Sequence, residues 1–429
     1  MAIRTPPNAN GRPKPPPDAA RPHRTSRLTQ QLHAVIAGAG VGGLSAAFAL
    51  ARAGLRVTVL ERAPVIEEAG AGRQRAPNAT GRLRDLGLLD RVMKFASTPE
   101  ALRIRRARDG RELARLPLGP IAEFRWGAPY TVIHRADLQR ALMEACAGES
   151  AISIRAGVRV TGFAVTGSRV EIGALEGETM IRFDGDFLVG ADGLRSVVRE
   201  RLGLGLADSP VWSGRTAWRA LVPAAAAPPA AMLLETGLWL GPRAHLVHYP
   251  VRHGEFLNIV AISEDPWRAE DADDLWNIPS GPAEISPCFS SWADEARAIV
   301  ASAREWRRWP LFDRNPSRRW RVDRVAVLGD AAHPMLPFFA QGAAQAVEDA
   351  AALGEAFAKG SGDVNAALSA YETARARRAG AVVVASRKQG AIYHMRGPMA
   401  FARDQVMQRL GANRMMNRLD WLYSHTPRA

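Results

Sequence analysis

The alternation of apolar and polar positions divides the chain into elements. Ala34-Val35-Ile36-Ala37 is a short apolar run, the pattern of a strand buried on both faces. It passes into Gly38-Ala39-Gly40-Val41-Gly42-Gly43, after which helical spacing continues to Ala53 and stops at Gly54. Arg56-Val57-Thr58-Val59-Leu60-Glu61 predicts the next strand, completing one strand–helix–strand unit. Leu83, Leu86, Leu89, Val92 and Met93 share a helical face within 76–95, and 136–147 is again amphipathic. Short strands are expected near 152–154, 158–165, 169–173 and 179–183, followed by the apolar run Phe187-Leu188-Val189. From about 211 to 262, strand-like runs with turn residues between them predict a mixed or antiparallel sheet. Residues 293–308 predict a helix. Val325-Ala326-Val327-Leu328 is a second buried-strand run, and Ala346, Ala350, Leu353 and Phe357 place a helix over about 342–358. The last 60 residues are expected to be mostly helical.

Composition narrows the class. A chain of 429 residues allows two or three domains. With 47% apolar and 23% charged residues, wholesale disorder is excluded. Two cysteines, Cys146 and Cys288, exclude a disulfide framework and suit a reducing compartment, so a cytoplasmic location is expected. No apolar run reaches 18 residues and the first 30 have no signal-like core, so neither a membrane span nor a secretory signal is expected. Those 30 residues, rich in proline, predict a disordered tail.

The net charge of +14 raises nucleic acid as a partner. Its distribution argues otherwise. Residues 1–30 carry +5, residues 371–429 carry +8, and the body between carries +1. No zinc-finger, helix-turn-helix or RNA-binding sheet motif accompanies the charge. Neither nucleic acid nor membrane is therefore assigned as a partner, and no metal-ligand set is assigned.

The glycine run carries the first chemistry. Gly38-x-Gly40-x-x-Gly43 leaves a buried strand, opens a helix, and precedes an acidic residue, Glu61, at the end of the next strand. Gly38 permits the tight turn, Gly40 admits a pyrophosphate to the backbone, and Gly43 allows close helix–strand packing. The helix N-terminus offers free N–H groups to phosphates, and Glu61 would accept from a ribose. The motif indicates a dinucleotide without distinguishing NAD from FAD. A second strand–GxGxxG–helix unit is absent from the sequence, so one dinucleotide is held stably.

Three later segments decide which. They are Gly190-Ala191-Asp192-Gly193-Leu194-Arg195-Ser196, Gly329-Asp330-Ala331-Ala332-His333-Pro334, and Leu336-Pro337-Phe338-Phe339-Ala340-Gln341-Gly342-Ala343. With the glycine motif, the chain resembles the FAD-dependent aromatic hydroxylases, the single-component (class A) flavoprotein monooxygenases, and most nearly their salicylate hydroxylase and 3-hydroxybenzoate 6-hydroxylase branch. Tyr130-x3-His134-Arg135-Ala136-Asp137-Leu138, Ala217-Trp218-Arg219-Ala220-Leu221-Val222-Pro223 and His245-Leu246-Val247-His248-Tyr249-Pro250-Val251-Arg252 are similar too. The resemblance covers about residues 33–360, and weakly Asp420-Trp421-Leu422-Tyr423.

The resemblance implies an α/β fold. A Rossmann-like FAD-binding domain would be interleaved with a mixed β-sheet substrate domain and followed by C-terminal helices. The division is then 31–210 and 321–375 for the FAD-binding domain, 211–320 for the substrate domain, and 376–429 for the helices. FAD would be held by Gly38, Gly40, Gly43, Glu61, Gly72, Arg135, Asp192, Gly329, Asp330, Pro337, Gly342 and Ala343. Asp330 would bond a ribitol hydroxyl, Pro337 would line the oxygen-reacting edge, and Gln341-Gly342-Ala343 would open a helix whose positive end faces the flavin pyrimidine. Asp192-Gly193 would also meet the pyridine nucleotide, with Gly193 supplying a left-handed turn. His333, a loop histidine beside proline, is expected to be structural.

Such enzymes reduce FAD with NADH or NADPH, and O2 then gives a flavin hydroperoxide that attacks an electron-rich ring. The substrate expected is a small phenolic aromatic acid of the hydroxybenzoate, salicylate or hydroxynicotinate type. A base near neutral pKa would help to ionise the phenol. In an alternating strand His245, Val247 and Tyr249 share one face, and the resemblance turns that face to the substrate. His245 is the candidate base, with Tyr249 or Gln341 bonding ring substituents. One departure stands out: Gly70-Ala71-Gly72-Arg73-Gln74-Arg75 has Arg73 and Arg75 where the family has apolar residues. Either the loop turns outward or an arginine clamps a substrate carboxylate. Two alternatives stay open, a reductase or dehydrogenase that does not hydroxylate and a hydroxylase of a larger aromatic or polyketide; the oligomeric state, a homodimer included, is left open too.

Overall fold

The structure, a computed structural model, describes residues 1–2, 31–65, 72–203, 209–266, 268, 278–360 and 362–424, except the side chain of Arg73. The expected tail, Met1 and Ala2 apart, lies outside the described residues. The described residues from Leu32 onward form one compact unit.

The first strand–helix–strand unit forms where expected, as His33–Ala37, Val41–Arg52 and Arg56–Glu61. It sits inside a six-stranded sheet ordered Arg321–Val322, Val325–Val327, Phe187–Gly190, His33–Ala37, Arg56–Glu61, Ile152–Ala156. The neighbours pair in parallel except for the hairpin of the two edge strands at 321–327. His33–Ala37, Phe187–Gly190 and Val325–Val327 are buried along their whole length, which is why, His33 apart, they read as apolar runs. The helix Gly342–Lys359 packs on Val41–Arg52 at the closest approach side chains allow: a Cβ on Gly354 would lie 2.8 Å from that of Ala49. Val158–Thr166, Arg169–Glu176 and Thr179–Gly185 form a separate three-stranded antiparallel sheet.

An eight-stranded sheet forms the second layer, ordered Ile278–Ser280, Trp306–Asp313, Val211–Pro223, Phe256–Glu264, Ala244–Val251, Glu235–Gly241, Ala101–Arg106, Glu112–Pro117. Its last two strands precede residue 211, where the sequence reading began the substrate domain. Nothing in the pattern of 101–117 reveals a sheet partner more than 100 residues away in sequence. Another correction concerns 293–308. The helix ends at Ala301, and Trp306–Asp313 is a strand, because Trp306 and Trp309 are buried on opposite faces of the sheet. The 76–95 segment is two helices, Pro77–Asp85 and Leu89–Met93, broken at Gly87 with its φ of +75°.

The alternation expected around His245 holds. Leu246 packs with Trp218, Trp239 and Ile259 under the helix Asp294–Ala301, whereas Leu238, Leu240 and Ile262 face the C-terminal helices. Those helices are Val364–Tyr393 and Gly397–Asn417, the second bent at Gly411.

Candidate active site

The glycine motif is built as its chemistry requires. Gly38 has φ +104°, and a Cβ there would meet the Ala191 carbonyl oxygen at 2.5 Å. A Cβ on Gly43 would fall 1.9 Å from the Gly38 oxygen, so only glycine lets the helix start this close to the strand. Gly40 differs: its Cβ would meet nothing within 4 Å. That open space lies over the N-terminus of a 12-residue helix with neither a side-chain cap nor an acidic first-turn residue. Such an end suits an anion. Glu61 closes the turn, its two carboxylate oxygens accepting from Ala39 N at 2.7 Å and Ala63 N at 2.9 Å.

The later motifs converge on the same end of the parallel sheet. Gly329 and Gly193 have φ +62° and +82°, the left-handed turns that favour glycine. Asp192 accepts from Ser196 Oγ and Val198 N, and its burial raises its pKa against those bonds. Arg135 begins the helix Arg135–Ala147. Burial pulls its pKa down to about 10, and the nearby Asp330 carboxylate opposes that shift. Asp330 is exposed, and a Cβ on Gly342 would lie 3.7 Å from its Oδ1. Ala343 is half-buried in the first turn of the same helix, and Pro337 opens a short turn ahead of it.

Gly72 pairs with His134 in a two-stranded ribbon and donates to Asn258 Oδ1 at 2.5 Å. Two buried donors, Asn258 Nδ2 and Gln341 Nε2, have no partner among the described residues. Buried donors of this kind want an acceptor. They sit beside Gly72 and Gly342, as a cofactor rich in carbonyl and phosphate oxygens would require. The donor set, the glycine cradle and the open helix end all fit a dinucleotide.

A cavity of about 550 Å³ lies between the large sheet and the C-terminal helices. Leu238, Val247, Phe338, Met407 and Met415 make its walls apolar, and Pro337 lines it as well. His245 is the imidazole that faces it among the described residues. Tyr130 and Gln74 also line it, Tyr130 Oη donating to Gln74 Oε1 at 2.8 Å. Burial, the neighbouring His394 and Arg215 push the His245 pKa well below 6.5.

The other catalytic candidates lie elsewhere. Tyr249 packs with Val132 and Val251 under Gly72 and is outside the cavity lining. Gln341 accepts from Asn78 Nδ2 at 2.9 Å and Gln345 Nε2 at 3.1 Å, joining a buried network rather than the cavity. In that network Glu348 accepts from Asn78 and Gln345 and pairs with Arg375 and Arg378. Asp349 pairs with Arg375 at 2.7 Å and accepts from Gly329 N and His333. His333 is thus held in the core, as expected of a structural residue. Arg75 is buried and donates Nη1 to the Gln74 carbonyl; it does not line the cavity. The Arg73 side chain lies outside the described residues.

Sequence reasoning missed His394, Arg215, Tyr393 and Arg403, which surround His245 or close the cavity. His394 follows the last residue of a 30-residue helix, and a helix stop before Gly397-Pro398 was the one signal available.

Residues 31–386 match the family described as FAD binding domain. The chain belongs to the FAD-dependent aromatic hydroxylases. It is 34% identical to the 3-hydroxybenzoate 6-hydroxylase of Klebsiella oxytoca over 92% of this chain and 97% of that protein. It is 35% identical to the 6-hydroxynicotinate 3-monooxygenase of Bordetella bronchiseptica over 81% and 88%. Among solved structures, HpxO of Klebsiella pneumoniae complexed with FAD and uric acid is 28% identical, with TM-score 0.81 over 92% of this chain and 97% of that one. A salicylate hydroxylase substrate complex is 25% identical, with TM-score 0.77 over 92% and 96%. This hydroxylase is an FAD enzyme acting on aromatic rings. No helix among its described residues is long and apolar enough to cross a membrane.

Proposed function

We propose that this hydroxylase uses NADH or NADPH and O2 to add one hydroxyl to a phenolic ring bound in the 550 Å³ cavity, with His245 contacting the phenolic oxygen. The observation that carries the reading is the placement of one buried imidazole in an otherwise largely apolar lining that Pro337 shares. When bound, FAD would supply the hydride-accepting and oxygen-transferring chemistry. Gly38, Gly40, Gly43, Glu61, Arg135, Asp192, Asp330, Gly342 and Ala343 would hold it. The apolar walls exclude water and orient the ring, and Gln74 and Tyr130 offer polar contacts to a second substituent.

Small phenolic acids are the first substrates to test, since relatives are named for hydroxybenzoate and hydroxynicotinate. The decisive assay follows NADH and NADPH oxidation by the yellow protein against a panel of hydroxylated aromatics, with product mass as the readout. Stimulated oxidation with a product heavier by one oxygen supports the proposal. Oxidation without hydroxylated product from any member would return the reductase reading.

The cavity supports a second reading, a larger phenol. Its volume lies within the range of about 300–1,000 Å³ that takes drug-sized ligands. Arg403, a cationic side chain in its lining, is already engaged by Asp404 and two backbone carbonyls. Met407→Trp, which narrows the cavity, is expected to lower kcat/KM for a two-ring phenol by about tenfold or more while sparing a one-ring phenol. Equal loss for both would point to a one-ring substrate that fills the site.

A further inference from the structure

Two buried histidines meet at the wall of the cavity. His245 Nδ1 lies 2.8 Å from His394 Nε2. His394 Nδ1 accepts in turn from Arg215 Nε at 3.2 Å. A guanidinium carries donors only, so this second contact has one polarity. His394 Nδ1 is therefore the acceptor, and the proton of a neutral His394 sits on Nε2. That proton points at His245 Nδ1, which must then accept. The proton of a neutral His245 is left on its own Nε2, the ring nitrogen turned away from His394. The reverse tautomers would set N–H against N–H at Arg215.

We propose that Arg215 and His394 are positioning residues that lock His245 as an Nε2–H donor, so that His245 holds the substrate's phenolic oxygen as an anion instead of acting as the base that removes its proton. This rests on the reading of the cavity as a phenol site. The hydroxyl proton leaves to water as the ring binds, and the Nε2–H···O⁻ bond takes its place; His245 gains no proton.

The surroundings keep the chain of donors directional. Arg215 lies over the Phe338 ring at 5.4 Å, and Phe338 and Tyr393 flank the His245 ring at 5.5 and 5.2 Å. The charged groups around the pair are Arg215, Arg403 and Glu264. Glu264 Oε1 stands 3.8 Å from His394 Nδ1, and its other oxygen is 3.6 Å from Arg243. Burial, Arg215 and Arg403 pull the His394 pKa down to about 3. Both rings are thus neutral where a free imidazole would titrate, and a neutral pair has a definite direction.

The test is nitrogen NMR on the FAD-loaded enzyme with ¹⁵N-labelled histidine. The expected spectrum shows both His245 and His394 as Nε2–H tautomers, unchanged through the range in which free histidine titrates. An Nδ1–H tautomer or an imidazolium at His245 would overturn the proposal. Arg215→Leu is expected to release the lock and give mixed tautomers at both rings; an unchanged spectrum would remove Arg215 from the role. Should that variant not fold, the wild-type spectrum still decides the tautomer.

A kinetic arm separates donor from base. The His245→Gln amide can accept from His394 and donate into the cavity, yet cannot take up a proton near neutral pH. With a phenol that the panel shows to be turned over, His245→Ala is expected to lose about 10- to 100-fold in kcat/KM. His245→Gln is expected to stay within about tenfold of wild type with an unshifted pH profile. A glutamine variant as impaired as the alanine variant would overturn the donor role. If no phenol is turned over, the phenol-site reading fails, while the NMR still settles the tautomers.

Discussion

Gly43→Ala is expected to yield a protein that purifies without flavin. The new Cβ would lie 1.9 Å from the Gly38 oxygen, a backbone atom that cannot rotate away. The helix Val41–Arg52 must then shift from the turn that carries Gly38 and Gly40. Overpacking of this kind typically costs about 1–3 kcal/mol. A backbone clash belongs at the upper end, which is about 100-fold in FAD affinity. The control is Gly40→Ala, whose Cβ meets no protein atom within 4 Å. It should leave the apoprotein melting temperature unchanged and still weaken FAD, because the added methyl enters the space over the helix end. Flavin absorbance and FAD titration of both variants check the pair. Normal FAD affinity in Gly40→Ala would show that the phosphates do not occupy that space.

Arg375→Met is expected to produce the largest loss of stability. Arg375 is buried between Glu348 and Asp349, themselves buried. Removing the guanidinium takes away the counter-charge that the two buried carboxylates share, and breaking a buried pair this way costs about 3–5 kcal/mol. For a cooperative unit of this length that is a fall in Tm of about 5 °C, measurable by calorimetry. Flavin affinity should fall with it, since Asp349 also holds Gly329 N and His333, and Glu348 is one step from Gln341 through Asn78.

The same network sets an acid limit. Burial alone would raise the Glu348 pKa, but Arg375 and Arg378 outweigh it and hold it at about 2. Asp349 is lowered as well, by His333 and Arg375 against its burial. A carboxylate with a depressed folded pKa stabilises the fold above its unfolded pKa of about 4. That contribution is lost as pH falls toward 2. Thermal melts at decreasing pH should show Tm falling across this window in the wild type and falling less in Arg375→Met. Parallel slopes would show that other carboxylates dominate.

Local pattern made the dinucleotide half legible. The turn, the helix start and the buried strands are set by neighbours in the chain, so Gly38, Gly43 and Val325-Ala326-Val327 could be placed without a structure. His245 could be assigned to a strand face because strand alternation is local. Tyr249, two residues on, shares that face but meets Gly72 instead of the cavity, and no periodicity reports how far along a strand a cavity extends. Gln341 was read from its helix-opening position, whereas its amide oxygen accepts from Asn78, 263 residues away.

By itself the sequence determined the nucleotide fold, its glycine turns and the strand that bears His245. Each of these shows in a local pattern, a glycine turn, an apolar run or the alternation of a strand. Only the tertiary structure decided what surrounds His245. His394 and Arg215 come from a helix end and a strand separated by 179 residues, and the cavity's outer wall comes from a helix whose own pattern is weakly amphipathic. Contacts of that range leave no mark on local spacing, yet they fix which nitrogen of His245 carries the proton.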